Sequence, residues 1–148
     1  MNNLGGTQVA KGIGAGYLAT IALSAIMVMK QVMGLMPQLH PIEMITQMMG
    51  AHVPAVGWAV HFFIGTILWG VIYARLDANL PGPHWLRGGI FATGAWLIMM
   101  LVMMPMAGAG LFGLKIGVMA PVATLLLHWI YGALLGGIFG ARPCRRTA

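Results

Sequence analysis

Two histidines occupy matching positions in two long apolar segments of the chain. His61 lies seven residues after Pro54, and His128 lies seven residues after Pro121. No Asp, Glu, Lys or Arg interrupts either segment. An ionisable side chain in such a setting is costly, which makes it a candidate for function. Two imidazoles on facing helices could provide the axial ligands of a haem b, or they could hold a copper ion.

Further residues near the two histidines could complete such a site. Thioether groups select copper(I), and four methionines are expected near the histidine level: Met27, Met29, Met99 and Met100. Gly65 and Gly132, one turn inward from the histidines, would leave room for the edge of a porphyrin. Lys30 could extend its amine outward along its helix. Alternatively, it could place a cation inside the bundle and bind an anionic group, such as a haem propionate or a quinone oxygen.

Each of these residue types also has a structural explanation. A neutral histidine in a membrane bundle often donates a hydrogen bond to a neighbouring carbonyl group. Methionine is a flexible apolar side chain that fills irregular gaps. Three further histidines fall in expected loops, where they are interpreted as ordinary interfacial residues: His40, His52 and His84. The sequence leaves the structural and the ligand-binding interpretations open.

Catalytic groups are scarce in this chain. It has one serine, Ser24, and two acidic residues, Glu43 and Asp77. The two acids are expected on opposite sides of a membrane, so neither a carboxylate pair nor a Ser-His-Asp triad can form within one subunit. No acid falls inside an expected span, which argues against a carrier that uses an acidic proton relay. We therefore predict no catalytic residue.

The composition identifies the environment in which these residues lie. Of the 148 residues, 59% are hydrophobic and 7% are charged. A soluble domain has about 45–50% apolar and about 25% charged residues, so the sequence predicts an integral membrane protein. The formal net charge of +6 comes from basic residues scattered along the chain. Nucleic-acid binding is not expected, because it requires Lys and Arg gathered in a patch.

Four stretches are long enough to cross a bilayer, which takes about 20 residues. Because the backbone must satisfy its own hydrogen bonds in lipid, each stretch is expected to be a helix. The expected spans are 13–36, 54–75, 87–106 and 116–141. A short interfacial helix is expected over 41–49, because Pro41 opens this segment and Gly50 follows it. An irregular loop is the alternative. The predicted fold is a single all-α domain over 1–148, an integral membrane four-helix bundle.

The basic residues predict the orientation of the spans. Six of the eight fall in the N-terminal segment, the middle connection and the C-terminal segment: Lys11, Arg75, Arg87, Arg142, Arg145 and Arg146. Lys30 and Lys115 fall on the other side. Both termini are therefore expected in the cytoplasm, with the protein in a bacterial inner membrane.

The second and fourth spans resemble each other. Segments 54–75 and 121–142 share seven identities, which include the Pro, His and Arg positions. At 100° per residue, Pro54, His61, Gly65, Leu68 and Arg75 fall in one stripe. On the opposite side, two pairs of small residues are expected to allow close helix packing: Gly70 with Ala74, and Gly137 with Ala141.

The first and third spans match more weakly, with Lys11-Gly12 aligned to Arg87-Gly88. The first span also has small residues at every fourth position: Gly12, Gly16, Thr20 and Ser24. We interpret the chain as two tandem helical hairpins of the same orientation, related by a pseudo-twofold axis along the membrane normal. If the second and fourth spans face each other across this axis, His61 and His128 converge.

Three segments carry a resemblance to a known group of proteins. They are the spacing of Lys30 to Met36-Pro37, the segment His61-Phe-Phe-Ile-Gly65, and the segment from Met104 to Gly110. Together they resemble small uncharacterised bacterial inner-membrane proteins over most of the chain. The resemblance implies four membrane helices and no known activity.

These observations favour a non-catalytic membrane module or an accessory subunit of a larger membrane complex. Its expected partners are the lipid bilayer and further copies of itself or other membrane subunits. One alternative is a haem b or copper protein that uses His61 and His128 for redox chemistry or metal handling. Another alternative is a homo-oligomeric channel or carrier.

Overall fold

The computed structural model describes residues 3–141 and shows five helices, with no β-strand among these residues. They are α1 (Asn3–Val32), α2 (Pro41–Met48), α3 (Pro54–Asn79), α4 (His84–Met106) and α5 (Ala120–Ala141). All but α2 are long and apolar enough to cross a membrane. The all-α fold and the multi-pass membrane character predicted from the sequence are thus confirmed. Cys144 and three of the predicted orienting arginines lie outside the described residues: Arg142, Arg145 and Arg146.

Several helix ends differ from the expected spans. The helix α1 begins at Asn3 and not at residue 13, α3 ends at Asn79 and not at residue 75, and α4 begins at His84 and not at residue 87. The first span ends at Val32 and not at residue 36. The chain turns sharply there, because Gly34 and Met36 both adopt positive φ angles, of 66° and 49°, and left-handed residues cannot continue a right-handed helix. The last span begins at Ala120, four residues later than expected. It follows a run of turns that includes Gly117 at φ 149°.

The helix α2 packs on the beginning of α3. Pro41 stands in the first turn of α2, where its missing N–H costs nothing. Thr46 is buried and faces Gly57 of α3, where an added Cβ would collide with the Thr46 hydroxyl. The short helix expected near residues 41–49 is therefore held against the bundle by a threonine-to-glycine contact.

Two spans contain π-helical segments, at Phe63–Leu68 of α3 and Met99–Met103 of α4. A π turn holds more residues than an α turn, so positions beyond it are rotated relative to a regular helix. Leu68 is 42% exposed, whereas Leu135, which occupies the matching position in the segment 121–142, is fully buried. The single stripe expected from Pro54 to Arg75 therefore does not continue past the π segment.

Backbone contacts between glycines join α1 to α3 and α4 to α5. We call these contacts the glycine seam; its members are Gly12, Gly16, Gly65 and Gly70 in the first pair and Gly88, Gly132 and Gly136 in the second. A Cβ on Gly12 would lie 2.7 Å from the Ala74 Cβ atom, and a Cβ on Gly88 would lie 2.7 Å from the Gly132 carbonyl carbon. Such spacing lets helix backbones approach closely.

The small residues of α5 do not all pack as the repeat predicted. The expected pair Gly137 and Ala141 is exposed, and nothing lies within 4 Å of a Cβ built on Gly137. The packing glycines of α5 are instead Gly132 and Gly136. Gly70 and Ala74 do pack, against Gly12, so the two members of the repeat differ here.

The bundle is tight at one end and open at the other. We call the first the basic end, because Lys11, Arg75 and Arg87 lie there; the Lys11 ammonium is 4.8 Å from the centre of the Phe139 ring. A buried core joins the two helix pairs beside it: Ala15, Ala19, Tyr73, Phe91, Tyr131, Leu135 and Phe139. Towards the opposite end, which we call the α2 end, longer side chains replace the glycines, among them Leu23, Met27 and Leu127. Space remains between the spans there.

Candidate functional site

A cavity of about 140 Å³ lies between the spans on the α2 side of the core, and we call it the inner cavity. Both His61 and His128 line it. Leu23 of α1, Ile98 of α4 and Leu127 of α5 contribute to its apolar wall. The structure therefore brings the two histidines to one space, although the 100° stripe that predicted this is interrupted.

His128 has a defined hydrogen-bonding arrangement. Its Nδ1 lies 2.8 Å from the carbonyl oxygen of Thr124, one turn earlier on α5. A carbonyl can only accept, so Nδ1 donates and Nε2 of the neutral ring carries a lone pair. The Thr124 hydroxyl in turn accepts a hydrogen bond of 3.1 Å from the Trp96 indole of α4. The ring is thus oriented by its own helix, and Nε2 makes no protein hydrogen bond in residues 3–141.

His61 is held by a neighbouring helix. Its Nε2 lies 3.2 Å from the hydroxyl oxygen of Ser24 on α1. The rings of Trp58 and Phe62 pack edge-on against the imidazole, each with a centroid distance of 5.8 Å. The Nδ1 atom makes no hydrogen bond to the described part of the chain. Ser24, the last of the small residues spaced along α1, therefore orients this histidine as well as allowing close packing.

The predicted methionine ligands divide into two groups. Met27 and Met99 line the inner cavity. Met29 is 61% exposed on the outside of the bundle. Met100 does not line the cavity and is fully buried in a cluster with Met104 and Ala109. Met103 and Met104 line the cavity in addition. The π segment at Met99–Met103 sets which of these side chains face inward, and no sequence signal marked it.

The two glycines expected to make room for a porphyrin have another role. A Cβ on Gly65 would collide with the Thr20 hydroxyl, and one on Gly132 would lie 2.5 Å from the Ala92 Cβ atom. The Gly65 carbonyl also accepts a hydrogen bond from the Tyr131 hydroxyl. Cofactor sites have volumes of about 300–1,000 Å³, well above that of the inner cavity. The spans would have to separate further for the inner cavity to hold a haem.

Lys30 lies outside the inner cavity. Its amine donates hydrogen bonds to the carbonyl oxygens of Met36 and Leu39, at 3.2 and 2.8 Å. The side chain therefore extends towards the α2 end and stabilises the turn that follows α1. Of the two interpretations made from the sequence, the outward orientation matches these contacts.

A polar cluster at the basic end was missed by the sequence analysis. The carboxylate of Asp77 is 6% exposed. It accepts hydrogen bonds from the Tyr73 hydroxyl at 2.7 Å and Arg87 Nη1 at 3.3 Å, and it lies 2.9 Å from Nδ1 of His84. His84 is thus a partner of a buried acid, not merely an interfacial residue. The sequence did contain a signal for this cluster. Asp77, one of only two acidic residues in the chain, is separated from His84 and Arg87 by the turn Pro81-Gly82-Pro83.

The chemistry available in the inner cavity is narrow. No carboxylate, thiol or amine lines it. The polar groups of its lining residues are imidazole nitrogens, thioethers, threonine hydroxyls, the Tyr131 hydroxyl and the Trp69 indole. Within residues 3–141, no three His, Cys, Asp or Glu side chains gather in a way that could hold a metal ion. A metal with more than two protein ligands there would need methionine sulfur or a hydroxyl oxygen beside the two histidine nitrogens.

The comparisons with known proteins identify the family but no activity. No curated protein and no solved structure matches the chain. The model of a family of unknown function, DUF6789, matches residues 6–147. This match agrees with the resemblance to small uncharacterised membrane proteins and covers both cavity histidines. The chain therefore belongs to the DUF6789 family.

Proposed function

We propose that the protein binds a copper(I) ion within the membrane, in the inner cavity. The observation that carries the proposal is the lining of that cavity, which combines His61 and His128 with the thioethers of Met27, Met99 and Met103. Imidazole and thioether groups are suitable ligands for copper(I). Calcium and magnesium require oxygen ligands, and no carboxylate lines the cavity.

The hydrogen bonds of the histidines support this proposal. His128 donates from Nδ1 to the Thr124 carbonyl, which is the type of second contact that orients a metal-binding imidazole. His61 can donate from Nε2 to the Ser24 hydroxyl, and its Nδ1 then carries the lone pair. Each ring then has one nitrogen supported by the protein and one available to an ion.

The charge of the ion favours the same assignment. An uncompensated charge is costly in an apolar environment, and the inner cavity provides no negative side chain. A monovalent ion held by neutral nitrogen and sulfur ligands brings less charge into this space than a divalent ion. The proposed activity is therefore copper(I) binding or handling in a membrane.

The test is a competition titration of the detergent-purified protein with copper(I) and the chelator bicinchoninate under reducing conditions. The expected result is one copper(I) per chain. His61→Gln and His128→Gln should each weaken binding by more than about 100-fold, because loss of a supporting contact alone costs about 10–100-fold. His52→Gln, outside the inner cavity, is the matched control. Met99→Leu should weaken binding, whereas Met29→Leu should not.

Circular dichroism and gel filtration must show that each variant is folded as the parent is. Binding that survives in both cavity-histidine variants would refute the proposed ligands. A parent protein that binds no copper(I) would refute the function itself.

A second candidate is the accessory-module role favoured by the sequence. Only 17% of the most apolar stretch of α3 is buried within the chain. Gly94 and Gly137 are also exposed, and no atom lies within 4 Å of the position that a Cβ atom would take on either residue. These surfaces can accommodate further helices from other copies or other subunits. Light scattering in detergent and identification of co-purifying membrane proteins test this role. A monomer with no partner would contradict it. The channel or carrier alternative requires flux in vesicles that contain this chain alone.

We also propose that the chain consists of two tandem parallel hairpins with both termini in the cytoplasm of a bacterial inner membrane. The close contacts of α1 with α3 and of α4 with α5 support the hairpins. The joint position of Lys11 and Arg87 at the basic end supports the orientation. Single cysteines at Ala78 and Gln47, in a Cys144→Ser background, test it with a membrane-impermeant maleimide in intact cells. Labelling at Ala78 without labelling at Gln47 would contradict the orientation.

A further inference from the structure

A second and larger cavity lies at the α2 end, and we call it the outer cavity. Its volume is about 420 Å³, and it is enclosed by the end of α1, the helix α2 and the start of α3. Polar and aromatic side chains contribute to its wall, among them Lys30, His40, Glu43, Gln47, His52 and Trp58. Hydrated solutes can therefore enter it more readily than they can enter the apolar inner cavity.

The two cavities adjoin. Met27 of α1 and Pro41 of α2 line both of them. Met27 is 7% exposed, and its unbranched side chain can change rotamer at low cost. Its thioether is also a soft ligand. The point of contact between the cavities therefore has a flexible side chain that suits a soft ion.

The opposite side of the inner cavity is packed. Tyr131 separates it from the basic end, with its hydroxyl bonded to the Gly65 carbonyl of α3. Behind Tyr131, the side chains of Tyr73, Leu135 and Phe139 are buried, and the glycine seam brings the backbones together. A solute that crossed there would have to separate backbones and break buried hydrogen bonds, whereas at Met27 it must displace one flexible side chain.

We infer that the ligand of the inner cavity enters and leaves through the outer cavity, past Met27 and Pro41, and does not cross the basic end. The identity of the ligand rests on the proposed function, but the route rests on the two cavities and the core. With the proposed orientation, the ligand is exchanged with the non-cytoplasmic side of the membrane.

The first test measures the rate of copper(I) loading separately from its affinity. Ala51 lines the outer cavity and not the inner one, so Ala51→Trp fills the route and leaves the proposed ligands that line only the inner cavity, such as His61 and His128, unchanged. Loading should be slowed by about 10-fold or more, which corresponds to about 1.4 kcal/mol of added barrier. The equilibrium affinity should not change. Met49→Trp is the control, because Met49 is exposed at the same end and lines neither cavity.

The second test does not need copper. A single cysteine at Leu127, on the wall of the inner cavity, is introduced in a Cys144→Ser background. Its reaction with a small charged methanethiosulfonate reagent is then timed. Adding Ala51→Trp should slow this reaction by a similar factor, and adding Met49→Trp should not.

The outcomes separate the route from the ligand. Protection of the Leu127 cysteine by Ala51→Trp, in a protein that binds no copper(I), would support the entrance and refute the proposed function. Equal cysteine reaction rates with and without Ala51→Trp, in folded protein, would overturn the entrance. Unchanged loading in a protein that does bind copper(I) would also overturn it.

Discussion

The substitution Gly132→Ala tests the glycine seam most directly. A Cβ at this position would lie 2.5 Å from the Ala92 Cβ atom and 2.7 Å from the Gly88 carbonyl carbon. Carbon atoms in favourable contact are about 3.5–4.0 Å apart. The helices α4 and α5 must therefore separate by roughly 1 Å, and a gap of that size removes about a quarter to a half of the attraction between the atoms it parts.

The expected magnitude follows from this displacement. Overpacking of a well-packed interior typically costs about 1–3 kcal/mol. The upper part of that range applies here, since one neighbour is backbone and the other is an alanine Cβ atom, and neither can move away by a rotamer change. Alanine is a better helix former than glycine by about 1 kcal/mol, which offsets part of the cost. We expect Gly132→Ala to lower the free energy of unfolding by about 1–2 kcal/mol as the difference of these terms.

The measurement is equilibrium unfolding in mixed micelles, with sodium dodecyl sulfate as denaturant and circular dichroism as the signal. Gly137→Ala is the matched control, because it lies on the same helix and has no neighbour within 4 Å of the new Cβ. It should be neutral or stabilising by up to about 1 kcal/mol. Equal free energies of unfolding for the two variants would refute the close α4–α5 contact.

Two further substitutions probe the polar contacts with the same unfolding assay. Asp77→Asn removes the charge that faces a histidine and an arginine, and it should destabilise the protein by about 1–3 kcal/mol. Its control is Arg75→Gln, which changes an exposed residue at the basic end and should be nearly neutral. Tyr131→Phe deletes the hydrogen bond to a carbonyl of the π segment and should cost about 0.5–1.5 kcal/mol. Tyr17→Phe, on a half-exposed ring, is its control. A variant no less stable than its control would show that the contact does not contribute to stability.

The spans and much of the helix packing could be predicted from the sequence. Length and hydropathy are enough to predict a membrane-spanning helix, so the sequence predicts the same number of spans, four, as the described residues show. The small residues from Gly12 to Ser24 recur every fourth position and do contact α3. Such spacing predicts a packing face because only small side chains permit close approach in a membrane.

Several details that depend on local backbone geometry were not predictable. No recognised sequence pattern predicts the π segments. The π segment of α4 nevertheless determines that Met99 lines the inner cavity, whereas Met100 does not line it and is buried against Ala109. The first helix ends at Val32, earlier than its apolar run suggests, because Gly34 adopts a left-handed conformation there. Glycine is a recognised residue just past a helix C-terminus, so Gly34 did mark this end. The left-handed Met36 that follows could not be predicted, because methionine rarely adopts this conformation.

The candidate site was predictable in part. The matched positions of His61 and His128 identified the pair, and both line the inner cavity. The cluster around Asp77 was missed because its members are spread from Tyr73 to Arg87 and meet only when the loop between α3 and α4 closes. The outer cavity was missed for a similar reason, since α2 must fold over the end of α1 to enclose it.

The glycine seam gives the bundle unequal stiffness along its length. Backbones in direct contact resist bending at the basic end, while cavities leave the spans room to move at the α2 end. The π segment of α3 contains Gly65 of the seam, and the π segment of α4 lines the inner cavity, so the regular hydrogen-bond ladder is already altered in both spans. A small tilt of α3 or α4 at its π segment is amplified with distance from the seam. We therefore expect any widening of the bundle to occur at the α2 end and not at the basic end.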